Sequence, residues 1–212
     1  MYLYEKYRPR TFDEVQGQSK AVAKIKHILM AGWGGRAWWI SGASGTGKTT
    51  LGRIIASQGA DDFFVQEYDS ADSITVGELD DIERTMHLMA WGRGGRVWII
   101  NEAHGLRRQV IRRLLGLLEH IPQHCVFIFT TTKEGEEGLF EDQIDASPLL
   151  SRCTCISLTN QGLAKTFANH CRRIAEKENL NGRPVDQYIR LAQSTHNNCR
   201  AMLMAIESGE ML

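Results

Sequence analysis

Short apolar runs alternate with amphipathic stretches through the first three quarters of the chain. Five apolar runs have the length of strands, and they cover residues 37–41, 63–68, 96–101, 126–130 and 154–158. Between them, apolar positions recur at helical spacing over residues 20–31, 48–57, 75–91 and 107–120. Alternating strands and helices of this kind predict an α/β fold, in which a five-stranded parallel sheet is flanked by helices.

The pattern changes after the fifth run. The remaining chain contains only helical spacing, over residues 161–178, 186–193 and 200–207. We therefore place a domain boundary near Thr159. The prediction is an α/β nucleotide-binding domain over residues 1–159, followed by a small helical lid domain over residues 160–212.

Composition narrows the class of protein. The chain has 212 residues, 42% of them hydrophobic, and a formal net charge of zero, so any contact with nucleic acid must come from a local basic patch. The opening MYLYEKYRPR lacks the apolar core of a signal peptide, and no apolar run approaches the ~20 residues that span a bilayer. Five cysteines without a CxxC pair indicate reduced thiols. We expect a cytoplasmic protein with no membrane partner.

The strongest chemical signal is GASGTGKT at residues 42–49, which fits the P-loop template GxxxxGK[ST] between a strand and a helix. Glycines let backbone N–H groups form a nest for phosphate oxygens, Lys48 adds a positive charge, and the Thr49 hydroxyl can ligate Mg²⁺. An incidental glycine-rich turn would not require this Lys-Thr pair. The predicted ATP-binding residues here are Gly42, Ser44, Gly45, Thr46, Gly47, Lys48, Thr49 and Thr50.

A second signal ends the third apolar run, where VWII is followed by Asn101 and Glu102. A buried strand ending in acidic residues is the Walker B arrangement, in which an Asp helps to hold Mg²⁺ and the next Glu activates water. Asn101 brings no charge, so we expect it to act on the metal through a bound water. Glu102 remains available as the catalytic base. The alternative is a core strand followed by a surface carboxylate.

Two weaker signals follow the same logic. Thr131 lies at the end of the fourth run, where polar side chains can reach a γ-phosphate or the attacking water. Arg152 precedes the fifth run, and an arginine supplied to a neighbouring active site can stabilise the transferring phosphoryl group. Taken alone, an ordinary strand residue is an equally good explanation for Thr131, and a solvated surface residue is the more common explanation for Arg152.

In combination, these motifs resemble the AAA+ clamp-loader ATPase subunits, such as replication factor C small subunits and the bacterial gamma/tau subunit. The opening YEKYRPRTFDEVQGQ at residues 4–18, the P-loop, the Asn101-Glu102 strand and SRC at residues 151–153 stand in the family's order. The similarity runs from about residue 2 to residue 207. It implies an ATPase that uses ATP and Mg²⁺, forms a homo- or hetero-oligomer with other AAA+ clamp-loader subunits, and loads a sliding clamp on primer–template DNA during replication.

The resemblance also implies roles for individual residues. Thr131 would be sensor 1, Arg152 the finger placed into the next subunit's ATP, and Arg200 the sensor 2 arginine of the lid. The residues that would wall the adenine are Tyr7, Arg8, Pro9 and Val15.

The chain departs from this family at three points. Asn101 replaces the usual Asp, which bears on hydrolysis more than on binding. A four-cysteine zinc module is missing between the P-loop and Walker B, which makes the gamma/tau type the poorer match. The family's helical collar does not follow the lid, so either the chain is a shortened one or the protein assembles through its ATPase faces alone.

DNA contact and function leave alternatives open. Arg107 and Arg108 open the helix after Walker B, where they could meet backbone phosphates, or they could belong to an ordinary solvated face. Besides a clamp loader, Asn101 favours a weakly hydrolysing ATP-dependent switch or scaffold of a replication or repair assembly. A related ATPase for Holliday-junction branch migration or helicase loading is disfavoured by the SRC motif and the opening segment.

Overall fold

A computed structural model describes residues 1–132 and 147–212 of the chain. Its centre is a parallel sheet of five strands in the order β2-β3-β4-β1-β5. The strands are β1 (Arg36–Ser41), β2 (Val65–Tyr68), β3 (Arg96–Ile100), β4 (Cys125–Thr131) and β5 (Cys153–Ser157). This architecture confirms the predicted α/β class.

The described residues form helices on both faces of the sheet and in a separate group with the amino terminus. The helices are α1 (Leu3–Lys6), α2 (Ser19–Met30), α3 (Lys48–Ser57), α4 (Val76–Met86), α5 (Arg108–Glu119), α6 (Ser147–Leu150), α7 (Ala164–Lys177), α8 (Val185–Ser194) and α9 (Cys199–Glu207). Successive strand residues point to opposite faces, so Trp39 packs in a core with α4 and α5, while Trp38 packs in a core with α2 and α3. The middle residues of the central strands are apolar because both of their faces are buried.

The strand order brings three chain segments together at one edge of the sheet. β4 lies between β1 and β3, with Ser41 beside Thr131 and Ile100 beside Phe129. The P-loop follows β1, and the Asn101-Glu102 pair follows β3. Parallel strands present their carboxyl ends at the same edge, so the predicted phosphate-binding and catalytic residues meet there.

The helices after β5 form a third hydrophobic core, and the amino terminus takes part in it. Leu3 is buried among residues of α7, α8 and α9, and Tyr4 and Tyr7 pack against the same cluster. Between this core and the sheet, the buried Gln18 side chain donates to the Thr159 carbonyl oxygen at 2.7 Å and accepts from the Thr159 N–H at 3.3 Å. The division of the chain at Thr159 stays a prediction.

Two predicted elements are shorter in the structure. The helix expected over residues 75–91 begins with a capping box between Thr75 and Glu78, but it ends at Met86. Gly92 and Gly94 then adopt left-handed backbone conformations that turn the chain toward β3. Met89, expected on the buried face of this helix, is 70% exposed. The second strand begins at Val65, so Phe63 precedes it and is 91% exposed.

The described residues also bear on the membrane question. In the ranges 1–132 and 147–212, no helix has both the length and the apolar character needed to cross a bilayer.

Candidate nucleotide-binding site

The P-loop has the backbone shape that a phosphate nest requires. Gly45 and Gly47 adopt positive φ angles of 75° and 98°, and α3 begins directly at Lys48. A side chain at Gly45 would meet the Asn198 side chain 2.0 Å away, so glycine also allows the lid to pack closely on this loop. Lys48 is 6% exposed, and its Nζ donates to the carbonyl oxygens of Gly42 and Ala43 at 2.8 and 3.0 Å.

Oxygen atoms suited to Mg²⁺ meet where β3 and β4 face the start of α3. The Thr49 hydroxyl donates to Asn101 Oδ1 at 2.8 Å, and the Thr130 hydroxyl donates to the same oxygen at 2.9 Å. Hydroxyl and amide oxygens are hard ligands of the type that Mg²⁺ accepts, usually alongside water and nucleotide phosphates. The chemistry of Thr49 and Asn101 therefore fits the Mg²⁺ that the P-loop implies, and their roles as its ligands stay predictions.

A carboxylate that the sequence analysis missed lies behind Asn101. Asn101 Nδ2 donates to Glu67 Oε1 at 3.0 Å and to the Tyr68 carbonyl oxygen at 3.2 Å. Arg53 in turn donates to both Glu67 oxygens, at 2.7 and 3.0 Å. This hydrogen bond with Glu67 is the main cause that raises the pKa of Arg53. In the sequence, Glu67 stands out only as the one charged residue in the second apolar run, residues 63–68.

Glu102 is held in an uncommon backbone conformation beside a histidine. Its φ of 50° lies in the left-handed region, which costs free energy in a residue with a side chain and is found most often at functional sites. Glu102 Oε2 lies 3.4 Å from His104 Nδ1 and 3.5 Å from Thr132 Oγ1. The same His104 nitrogen lies 3.3 Å from Thr131 Oγ1. His104 was not among the predicted residues, although it is only two positions beyond Glu102.

The other end of the site is an open pocket between the amino-terminal segment, the P-loop and the lid. Nine of the predicted nucleotide-binding residues line it: Tyr7, Arg8, Pro9, Val15, Gly45, Thr46, Gly47, Thr50 and Arg200. Arg200 lines it from the start of α9 and stacks over the Tyr4 ring at 5.5 Å. The remaining lining residues were missed by the sequence analysis: Tyr4, Gln16, Phe167, His170, Cys199 and Leu203.

Polar contacts tie this amino-terminal segment to the lid. The Tyr7 hydroxyl donates to Glu178 at the end of α7, and Lys6 Nζ donates to the same carboxylate at 2.7 Å. The hydrogen bond from Lys6 is the main cause that lowers the pKa of Glu178, and the one from Tyr7 lowers it further. The same bond to Glu178 raises the pKa of Tyr7. The wall of the pocket therefore depends on where the lid lies.

Arg152 lies far from these groups. It precedes β5, and Cys153 pairs with Ala37 at the amino end of β1, whereas the P-loop follows the carboxyl end. At ~3.3 Å per residue, the five steps from Ala37 to Gly42 separate the two levels by about 16 Å. Arg152 donates to Glu119 at 2.5 Å and to the Pro148 carbonyl oxygen at 2.8 Å.

The predicted DNA-contacting arginines lie on the surface. Arg107 and Arg108 are exposed at the start of α5. Arg113, one turn further along this helix, donates instead to Asp80 of α4 at 2.8 Å. The basic segment therefore divides into an exposed start and a structural ion pair.

The fold and the phosphate-binding edge define an AAA+ P-loop ATPase architecture. A solved structure of the RuvB Holliday junction branch migration motor of Thermotoga maritima matches 95% of this chain and 64% of that chain, with a TM-score of 0.73 and 22% identity. At that identity the likeness concerns the fold. No protein-family model matches the chain.

Curated relatives specify the family further. DNA polymerase III subunit gamma of Buchnera aphidicola subsp. Baizongia pistaciae is 30% identical over 202 residues, which cover 84% of this chain and 52% of that protein. DNA polymerase III subunit gamma/tau of Mycobacterium bovis is 35% identical over 158 residues, which cover 63% of this chain and 27% of that protein. The chain thus spans about half or less of the length of these relatives.

The resemblance to AAA+ clamp-loader ATPase subunits is confirmed by these matches. They are of the bacterial gamma/tau type, which the missing zinc module had made the less expected of the two. The roles of the individual site residues stay predictions.

Proposed function

We propose that this chain binds and hydrolyses ATP with Mg²⁺ as a subunit of a clamp-loader oligomer, which places a sliding clamp on primer–template DNA. The observation that carries the proposal is the meeting of Lys48, Thr49, Asn101 and Glu102 at one sheet edge, in a chain whose relatives are DNA polymerase III gamma subunits. Such an assembly works in the cytoplasm.

The side chains at this edge divide the chemistry. Thr49, and Asn101 through a bound water, would hold Mg²⁺, which would neutralise phosphate charge when bound. Lys48 exchanges its contacts with the P-loop carbonyls for phosphate oxygens. Glu102 accepts the proton of the attacking water, while His104 and Thr132 fix the direction of its carboxylate. Thr131 shares His104 with Glu102, which links the end of β4 to the catalytic base.

The position of Arg152 supports a shared active site. Its side chain lies near the amino ends of the strands, so it cannot reach the phosphates bound by its own P-loop. In a ring of subunits, this end of the sheet can face the nucleotide of a neighbour. An arginine that acts in this way contributes ~10³–10⁵ in rate in well-studied cases.

Two surfaces support the macromolecular partners. Exposed Arg107 and Arg108 offer charge to DNA backbone phosphates without reading sequence. Large apolar side chains are exposed after α4, with Leu88, Met89 and Trp91 at 56%, 70% and 85%. Exposed apolar side chains grouped in this way mark protein interaction sites, and we assign this one to the sliding clamp.

The second candidate is a switch that binds ATP and hydrolyses it slowly, and the neutral Asn101 favours it. ATP turnover measured with and without primed DNA, alongside native mass, separates the two. An oligomer whose turnover rises with primed DNA supports the loader. Tight ATP binding with negligible turnover under both conditions supports the switch.

A mixing experiment tests the shared site directly. Arg152→Ala and Glu102→Gln should each be nearly inactive alone. Mixed oligomers should regain activity, because some interfaces pair an intact Glu102 with an intact Arg152. Rates that never exceed the sum of the separate variants, while native mass shows mixed oligomers, would exclude Arg152 as a finger acting on the neighbour.

A further inference from the structure

The buried amide of Asn101 uses all of its hydrogen-bonding capacity. The residue is 7% exposed. Its Oδ1 accepts from the hydroxyls of Thr49 and Thr130, and its Nδ2 donates to Glu67 Oε1 and to the Tyr68 carbonyl oxygen. A carboxamide has two donor hydrogens and two acceptor lone pairs, so every one of them has a partner here.

These partners determine which way the amide faces. A carboxamide turned by 180° exchanges its oxygen and nitrogen at nearly constant shape, so its orientation must follow from the neighbours. The threonine hydroxyls can donate or accept, and they fit either orientation. The Glu67 carboxylate and the Tyr68 carbonyl only accept, so only the NH₂ group can face them.

Orientation matters because this residue stands where a Walker B carboxylate is expected. An Asp presents an oxygen toward Thr49 whichever way it turns. An Asn presents either an oxygen, which favours a cation, or an NH₂ group, which repels one. Leaving a buried polar group unsatisfied costs ~1–3 kcal/mol, so the partner on the far side of the amide can decide between these states.

We propose that Glu67 is a positioning residue that keeps Asn101 Oδ1 directed toward Thr49 and the Mg²⁺ site. The inference rests on the proposed binding of Mg²⁺-ATP. It assigns a function to a carboxylate on β2 that hydrogen-bonds to Asn101 on one side and to Arg53 on the other. Tyr68 contributes a backbone carbonyl to the same task, and no substitution of its side chain removes that.

Arg53 holds Glu67 in place for this function. Its guanidinium donates through Nε to Glu67 Oε2 and through Nη2 to Oε1, which fixes the plane of the carboxylate. Oε1 retains an acceptor site for Asn101 Nδ2. The ion pair of Arg53 and Glu67 therefore places a carboxylate oxygen of fixed direction next to Asn101 Nδ2, and Arg53 balances its charge.

The test is a binding titration with a fluorescent ATP analogue, in excess Mg²⁺ and in EDTA, with no turnover required. The quantity of interest is the ratio of the two dissociation constants, which we call the Mg²⁺ enhancement. Glu67→Ala should lower this enhancement by about tenfold, because one hydrogen bond to a charged group is lost. Its affinity in EDTA should stay within about twofold of the parent.

The decisive comparison repeats the substitution in an Asn101→Asp background. There Glu67→Ala should leave the Mg²⁺ enhancement unchanged or raise it, because a carboxylate needs no orienting partner and loses a like-charged neighbour. An equal loss in both backgrounds would mean that Glu67 acts only through its ion pair with Arg53. No loss in the Asn101 background would overturn the proposal as well.

Controls separate this outcome from general damage. Asp81→Ala removes an exposed carboxylate that pairs with the exposed Arg84, and it should leave the Mg²⁺ enhancement unaltered. If Glu67→Ala does not fold, as judged by circular dichroism, Glu67→Leu fills the space without an acceptor, and the same two-background comparison decides. A parent that binds the analogue equally well in Mg²⁺ and EDTA would refute the positioning role while leaving ATP binding intact. A parent that binds no analogue at all would refute the proposed function itself.

Discussion

The two ends of the nucleotide pocket are built in different ways. At the phosphate end, Asn101 and Glu102 follow β3 directly, and the P-loop joins β1 to Lys48 and Thr49 at the start of α3, so the rigid sheet sets the spacing of these groups. The other end, where we expect the adenine, is called the base end below. Its walls come from the first residues of the chain and from the lid, and the hydrogen bond from Tyr7 to Glu178, 171 residues away in sequence, joins the two.

This difference suggests a division of labour. Groups fixed to the sheet suit the chemical step, which tolerates little misplacement. Contacts between the amino-terminal segment and the lid change whenever the lid moves. The close packing of Asn198 on Gly45 must change with them. We infer that the phosphate end carries catalysis and most of the affinity, and that the base end couples bound nucleotide to lid position.

The largest expected effect comes from Lys48→Ala at the phosphate end. Its ammonium donates to the carbonyl oxygens of Gly42 and Ala43 within the loop, which places its positive charge beside the phosphate nest. Charge-assisted hydrogen bonds contribute ~1.5–3 kcal/mol each, so ATP affinity should fall by about 100-fold or more. Isothermal titration measures this, with circular dichroism to show an intact fold. Affinity equal to that of the parent would mean that the loop does not bind phosphate.

Glu102→Gln should affect turnover and spare binding. The amide keeps the shape of the side chain but cannot accept the proton of water, and general-base catalysis contributes ~10²–10⁴ in rate. Single-turnover hydrolysis should slow by about 100-fold, while ATP affinity changes by less than about threefold. The conservative His104→Gln serves as a comparison, and a smaller loss is expected from it. Unchanged hydrolysis in Glu102→Gln would place the base elsewhere.

The same contrast explains what the sequence could predict. Strands, helix α3 and the P-loop carry local signals, namely hydrophobic periodicity and a motif of fixed spacing, so the five strands and the position of the P-loop between β1 and α3 were predicted from the sequence. The end of α4 was missed because the backbone conformations of Gly92 and Gly94 outweighed the apolar pattern that continues to Met89. Thr131 was expected at the phosphate-binding edge because it stands at the end of the fourth apolar run.

Side-chain pairings between elements left no such signal. In the sequence, Glu67 is only a charged residue in a strand, and nothing indicates its contact with Asn101. His104 is only a loop residue, and nothing indicates that it lies beside Thr131. The missed lining residues of the base end belong mostly to the lid, whose packing against the amino terminus is a tertiary feature. A single sequence contains the residues of such contacts but not their pairing.

At the base end, a bound nucleotide should protect Cys199 from alkylation. This thiol lines the pocket beside Arg200, with its sulfur 3.9 Å from that of Cys171. For competing occupancy, ATP at about ten times its dissociation constant slows the reaction by about tenfold. Iodoacetamide labelling read by peptide mass spectrometry measures the rate. The exposed Cys155 on β5 lies outside the pocket lining and is the internal control. Equal labelling rates for Cys199 with and without ATP would mean that the adenine does not bind beside this thiol.

The smallest expected effect is a pH dependence of stability from His170, which lines the base end on α7. Burial lowers the pKa of this imidazole below its ordinary value of 6.5, and the nearby charges of Arg173 and Lys177 lower it further. Below pH 6.5 the unfolded chain therefore takes up a proton that the folded chain resists, so the free energy of unfolding falls as the pH falls from 7.5 toward 5.5. His170→Gln should flatten this dependence, as measured by urea unfolding at several pH values. His120→Gln, at the exposed end of α5, is the matched control and should retain the slope of the parent. If both variants keep the parent's change of unfolding free energy with pH, His170 does not cause that change. The pH dependence of stability would then not distinguish the base end from the phosphate end.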